Sequence, residues 1–381
     1  MTVNTFSSIF SKYGKLCVWI MWLISTLIYL KLYGVVTELE AAKYIEEATL
    51  YINTGSFSAP RFYFYSVIIF IMVFAIKIKI GMMGVFIIQA LLNLFAYNIF
   101  YKALSKLFQS PFTPILIIFY LLAFSPYQSW VVFLYTESVF FSGLLILISV
   151  LILYKPDNFK NIVLILIALF FTLIARPLGI LFTVGVYLYL FYSANKKWKM
   201  IIACSSVVMI FMGYFFVNAV FSSIHDWTIT QGFEEESIIC DLPASQPYQK
   251  LNLSKTGSPV YQLCYYLTHN FSHFLRFAGI KLQYFFLMTR NYYSNSHNLF
   301  LLLNVIPVYI FALCSFFIKK PYFSKAIAAF LVSTILIYAL TIVFQCDDYH
   351  NRFLLSIYPL FVLLAAGAIE YFCLLTFKNN K

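Results

Sequence analysis

Glu38, Glu40, Glu46 and Glu47 fall within ten positions of one another in a chain that holds only 14 acidic residues among 381. A carboxylate within reach of a hydroxyl can serve as its general base. Read as a helix, residues 37–54 place Glu40, Lys43, Tyr44 and Glu47 at i, i+3, i+4 and i+7. That makes one polar stripe, with Ala41, Ala42, Ile45, Ala48 and Ile52 elsewhere around the helix. Asn53-Thr54-Gly55 supplies a C-cap. The pattern predicts an amphipathic helix on the outer membrane surface that offers carboxylates to whatever approaches. A solvated surface helix with Glu/Lys pairs has the same pattern.

Three more clusters carry ionisable groups. Tyr135-Thr136-Glu137 opens an apolar segment, Ala175-Arg176-Pro177-Leu178-Gly179 joins two others, and Asp347-Asp348-Tyr349-His350-Asn351-Arg352 precedes the last. Ionisable groups at membrane depth are expensive and mark functional sites. The arginine fork matches phosphate oxygens and never loses its charge, so Arg61, Arg176 and Arg352 are candidate phosphate ligands. Snorkelling to headgroups is the competing explanation. His350 is a weaker candidate for the same work. Asp347, Asp348 and Glu40 offer hard oxygens to a divalent metal, although nothing in their spacing requires one.

The elements that must position these residues lie in the bilayer. The chain is 62% hydrophobic and 10% charged, far from soluble composition. Apolar segments at 15–33, 61–79, 82–101, 112–125, 130–154, 160–175, 178–193, 199–221, 299–318, 326–344 and 353–376 predict about ten or eleven membrane helices, an all-α polytopic protein in a single domain over 1–381. Their continuous apolar character disfavours a β-barrel. Residues 15–33 read as a retained first span, without a small-x-small cleavage site.

The formal charge of +12 resides in short basic loops at 77–81, 154–161, 195–199, 318–325 and 377–381, which the positive-inside rule assigns to the cytoplasm. Nucleic acid is therefore not the expected partner. From residue 155 onward the alternation puts Arg176, the long 222–298 connection and 346–352 outside. In the N-terminal half one of five apolar segments must fail to cross. Segment 112–125, bounded by Pro111, Pro114 and Pro126, is one suspect, while the basic stretch 101–106 argues for a different omission.

The 222–298 connection is long enough to be functional. Its 269–290 part has basic and aromatic residues at helical spacing, which suits an interfacial helix or a further short membrane helix. The seven cysteines show no metal-ligand spacing, and Cys240 and Cys264, in one loop, could pair on an oxidising side. Two sequons, at Asn252 and Asn270, matter only in a eukaryotic secretory setting. No internal repeat is visible.

Together these stretches resemble bacterial membrane glycosyltransferases of the GT-C superfamily, of the ArnT and protein O-mannosyltransferase type. The resemblance rests on Glu40 four before Tyr44, Ala48, Gly55, Pro60-Arg61, Gln89-Ala90-Leu91-Leu92, the 101–108 helix end, Ser125-Pro126, Thr136-Glu137 and Arg176-Pro177-Leu178-Gly179. It continues through 292–298 to Arg352-Phe353, seven before Pro359. It covers nearly the whole chain in short motifs whose shared order carries the weight. One departure stands out: the family's first-loop acid is normally Asp, and here it is Glu40, longer by one methylene, with Glu38 as the neighbour that could stand in.

The resemblance implies transfer of a sugar from a polyprenyl-phosphate donor to a lipid, glycan or protein acceptor outside the cytoplasm, generally with inversion. Residues 35–60 would be the first extracytoplasmic loop. Glu40 would be the catalytic base, Arg61, Arg176 and Arg352 would hold the departing phosphate, and Tyr44, Glu137, His350 and Asp348 would line the substrate site. The carrier tail would lie among membrane lipids between spans of a bacterial inner-membrane protein. A divalent metal is an open part of that picture. An O-antigen-polymerase-like enzyme shares the outer arginines and long outer loop but not the acid-tyrosine register. A transporter would gather its charges near mid-membrane in two matching halves, and no halves match here.

Overall fold

The computed structural model describes residues 3–223, 228–240, 251–254, 256–318, 322–347 and 349–379. Their regular structure is helical, with two isolated parallel bridges and no strand among the described residues. The helices are α1 (Val3–Tyr33), α2 (Glu40–Thr54), α3 (Ser66–Lys77), α4 (Gly81–Leu107), α5 (Phe112–Ala123) and α6 (Ser125–Gln128). Next come α7 (Thr136–Leu153), α8 (Phe159–Ala175), α9 (Phe182–Ser193), α10 (Lys196–Ser223) and α11 (Gln231–Glu234). The last are α12 (Pro259–His269), α13 (Phe271–Leu287), α14 (Asn295–Phe316), α15 (Lys325–Phe344) and α16 (Arg352–Asn379).

Among the described residues, eight helices are long and apolar enough to cross a membrane: Lys12–Tyr33, Pro60–Lys77, Gly81–Leu107, Thr136–Leu153, Lys196–Phe215, Asn295–Phe316, Lys325–Phe344 and Tyr349–Leu374. Phe112–Ala123 and Ser125–Val132, bent by 73°, make a ninth if taken as one broken span. Phe159–Ala175 and Pro177–Ser193 are apolar but shorter. The chain is an all-α, polytopic integral membrane protein; where the sequence predicts about ten or eleven membrane helices, eight, or nine with the bent pair, are long and apolar enough among the described residues. The bend falls in the proline-bounded segment already under suspicion, and Pro126 sits in the first turn of the restarting helix.

The chain divides into two compact units. One comprises Met1–Leu190, Ile306–Thr334 and Leu355–Lys381, the other Phe191–Val305 and Ile335–Leu354.

In the first unit α7 packs on α4 and α8. It is apolar all round, and Phe140, Leu144, Leu147 and Ile148 are buried, as that composition requires. Polar side chains join neighbouring helices: Asn93 accepts from Trp22 Nε1 at 2.9 Å and from Gln128 Nε2 at 3.1 Å, and donates to Ser142 Oγ at 3.2 Å. On α16 the buried Glu370 accepts from the backbone N–H groups of Gln109 (2.8 Å) and Ser110 (2.9 Å) and from Thr113 Oγ1 (2.6 Å). It thereby holds the turn that leads into α5 and the Thr113 hydroxyl of its first turn.

The second unit is built around Phe233, Tyr266 and Phe277, with Leu263, Leu267, Phe274 and Phe344 packed against them. Helix α13 turns His273, Phe277, Lys281 and Phe285 inward. The 269–290 stretch, read as an interfacial or short membrane helix, therefore covers a protein core with its apolar side.

Candidate functional site

The chain leaves α1 and pairs at once with the approach to α7. Val36 N donates to Val132 O at 3.0 Å, and Leu134 N donates to Val36 O at 3.1 Å. The Tyr135 hydroxyl donates to Glu38 O at 3.1 Å. Gln89 of α4 braces the same segment, donating to Val131 O (2.8 Å) and Phe133 O (3.0 Å). These bonds fix the entry to α2 beside the entry to α7, with Glu40 and Glu137 each in a first helical turn, where the helix dipole favours an anion. The chain enters α2 through Leu39 at φ 56°, ψ −116°, a backbone region that costs a side chain on the order of 1–3 kcal/mol.

Helix α2 buries Ala41, Tyr44, Glu47 and Ala48 and exposes Lys43 and Glu46. This corrects the expectation of an outward polar stripe, since two of its four members face inward. The two alanines let α2 pack closely on α3, and the buried polar groups have partners. Glu47 accepts from Ser58 N at 2.6 Å and from Ser58 Oγ at 2.7 Å, tying down the loop beyond the helix. Gly55 ends α2 at φ 73°, ψ 7°, the left-handed cap the sequence calls for.

Glu137 is fully buried and meets Arg176 Nη1 at 2.5 Å. Arg176 ends α8 in extended backbone (φ −163°, ψ 144°), the conformation favoured before a proline, and Pro177 opens the next helical turn. Gly179 N donates to Arg176 O at 2.9 Å. A Cβ at Gly179 would run into the carbonyl of Thr172, so only glycine lets the chain fold back this tightly on α8. The Arg-Pro-Leu-Gly run thus stops α8 and fixes the guanidinium on Glu137.

These charges converge on Tyr44. Its ring lies 5.6 Å from that of Tyr65, with Lys43 Nζ 4.9 Å from the Tyr44 centroid and 5.7 Å from the Tyr65 centroid. Burial, then the negative charges of Glu137 and Glu40, push the Tyr44 phenol well above its ordinary range, against the pull of Arg176. Tyr44 therefore keeps its proton, a neutral phenol that can donate a hydrogen bond. The cluster offers a carboxylate at a helix start, a neutral phenol, and a guanidinium steadied by a second carboxylate.

Of the residues expected to act together, Glu40, Tyr44, Glu137 and Arg176 share this cluster in the first unit. Arg61 is exposed in the turn Pro60–Tyr65, with its guanidinium over the Phe62 ring at 5.3 Å. His350, exposed, and Arg352, buried, belong to the second unit, where His350 and Asn351 both hold φ 58° just before α16. Asp348 lies outside the described residues. Asp347, expected as a metal ligand, is instead buried against Arg290 at 2.5 Å. Among the described residues no three His, Cys, Asp or Glu side chains are grouped to hold a metal ion.

Comparisons with family models, curated proteins and solved structures give no match.

The second unit corrects the cysteine pairing. Cys240 is bonded to Cys346, with Cα atoms 5.0 Å apart, and Cys264 is an exposed thiol on α12. A parallel bridge sets this up: Cys240 N donates to Asp347 O at 2.9 Å and Asp347 N to Ile238 O at 2.7 Å. Sequence reasoning gave no role to Arg290, Lys281 or Glu236. The available signal was a lysine on the inward, apolar side of α13, a position that demands a partner. Lys281 donates to Gln345 O at 3.1 Å and sits over the rings of Phe277 (4.4 Å) and Phe233 (5.0 Å).

Proposed function

We propose that this membrane protein is a glycosyltransferase that moves a sugar from a polyprenyl-phosphate donor to a lipid, glycan or protein acceptor on the extracytoplasmic face of a bacterial inner membrane. The observation that carries the reading is the convergence of Glu40, Tyr44, Glu137 and Arg176. Three stretches on which the GT-C resemblance rests, 40–44, 136–137 and 176–179, meet in one cluster, and a fourth, Gln89, braces it. Motifs that shared only an order in the sequence share a place in the fold.

In this reading the acceptor hydroxyl gives its proton to Glu40 as its oxygen bonds to the anomeric carbon. The bond from that carbon to the phosphate oxygen breaks with inversion, and its electron pair leaves on polyprenyl phosphate. The added negative charge is stabilised by Arg176, oriented by Glu137, with the neutral Tyr44 hydroxyl as a donor. The Cys240–Cys346 disulfide supports the sidedness, because such bonds persist in oxidising compartments and this one joins the two connections that the charge pattern assigns to the outside.

The test is transfer by the purified full-length protein in liposomes carrying polyprenyl-phosphate sugars. Glu40→Gln should lose transfer by about a hundredfold or more while keeping its thermal stability. Undiminished transfer by that variant would remove Glu40 from the mechanism.

A further inference from the structure

A pocket of about 160 Å³ opens in the second unit, lined by Glu236, Ile238, Ile239, Tyr284, Arg290, Asn291 and Tyr292. Its charged groups are already matched. Glu236 Oε1 takes both His273 Nε2 (2.9 Å) and Arg276, and Arg290 is spent on Asp347 and on the carbonyls of Tyr284 (2.8 Å) and Thr289 (3.1 Å). An anionic ligand would therefore gain no new ion pair here and would face a carboxylate.

The remaining lining has a different chemistry. With Oε1 of Glu236 doubly engaged, Oε2 is the oxygen left to accept. The Tyr284 hydroxyl donates to Asn291 Oδ1 at 2.8 Å, which leaves the amide N–H groups of Asn291 to donate elsewhere. Arg290 is almost wholly buried, so it stands behind the wall of the pocket. Around these few polar groups stand two tyrosines, Tyr292 being 53% exposed, and two isoleucines. Apolar walls with a few fixed donors and acceptors are the make-up of small-ligand sites.

We infer that this pocket binds one neutral saccharide residue. The C–H face of a sugar ring packs on tyrosine, and its vicinal hydroxyls both donate, to Glu236 Oε2, and accept, from Asn291. A phosphate supplies no apolar face and brings negative charge against the Glu236 carboxylate, and an acyl chain leaves both polar groups unanswered. The disulfide and the 239–347 bridge hold two sides of the pocket, since Ile238 and Ile239 adjoin Cys240 and the Arg290 partner Asp347 adjoins Cys346.

Saturation-transfer NMR on the full-length protein tests this, in a detergent without a sugar headgroup. The probes are methyl glucoside, methyl galactoside, methyl mannoside and N-acetylglucosamine, with inorganic phosphate and N-acetylglycinamide beside them. At least one glycoside should give saturable transfer through its ring protons. Tyr292→Ala and Asn291→Ala, both at exposed positions, should each weaken it about tenfold. Tyr63→Ala, an exposed aromatic of the first unit, should leave it unchanged. Absence of transfer from every glycoside, indifference to both pocket variants, or stronger binding of phosphate or the amide would each overturn the inference. The measurement reads binding alone, so its failure and a failure of Glu40→Gln to abolish sugar transfer are separate results.

Discussion

Arg176 and Glu137, 39 positions apart, meet at 2.5 Å with almost no exposure to solvent. Taking both charges out of water is expensive, and removing one alone leaves the other buried without compensation. Glu137→Leu and Arg176→Met should each lower stability by about 3–5 kcal/mol. The double variant Glu137→Leu/Arg176→Met should regain most of that loss, because an apolar pair of similar volume suits the same place, yet it should not regain sugar transfer. Thermal unfolding in detergent, beside the liposome transfer assay, separates the two effects. A double variant that transfers sugar would show the pair to be scaffolding.

The sequence was most readable where one physical requirement dominates. A run of about 20 apolar residues has to be a helix in lipid, and eight of the eleven apolar segments contain a helix long enough to span, while the others are bent or short. Gly55 was readable as a cap because left-handed backbone favours glycine. The direction of the α2 stripe was not readable. Polar residues at helical spacing face water in a soluble helix, but Tyr44 and Glu47 face inward because Glu137, Arg176 and Ser58 await them from elsewhere in the chain. Cys346 as the partner of Cys240 was equally hidden, since the bridge that joins them spans 106 residues. Glu370, holding the turn into α5 from 257 residues beyond Thr113, has no local signature at all.

Peptide mapping without reductant should recover Cys240 joined to Cys346 and Cys264 as a thiol. A loop of that length, tied in the unfolded chain, contributes about 4–5 kcal/mol in the chain-entropy account. Cys240→Ser and Cys346→Ser should therefore lower the unfolding temperature in a way that added reductant reproduces in the wild type. Cys264→Ser should melt like the wild type. A fragment joining Cys240 to Cys264 would contradict the pairing.

Burial pushes the Lys281 amine down to about 8, with two phenylalanine rings and one carbonyl around it. Below that pH the folded protein carries a buried charge, while the unfolded chain holds its proton up to its ordinary value of about 10.4. Between the two values the unfolded state binds more protons, so stability rises with pH across that window. The unfolding free energy of the wild type relative to Lys281→Met should shift in favour of the wild type by on the order of 3 kcal/mol from pH 7 to pH 10.5. A pH-independent difference would mean that the amine titrates as it does in water.

Gly179 tests whether the turn after α8 serves the cluster or only the fold. A Cβ there meets the Thr172 carbonyl, a backbone atom that cannot move without shifting the end of α8. Gly179→Ala should cost about 1–3 kcal/mol in stability. It should cost far more in transfer, because displacing Arg176 by roughly 1 Å is worth about a hundredfold in rate. Gly213→Ala is the matched control: nothing lies within 4 Å of the Cβ it would add in α10. Removing a glycine from a helix interior stabilises by about 0.5–1 kcal/mol, so that variant should melt no lower than the wild type and transfer sugar as fast. If Gly179→Ala loses stability and keeps its transfer rate, Arg176 is not positioned by this turn for the chemistry.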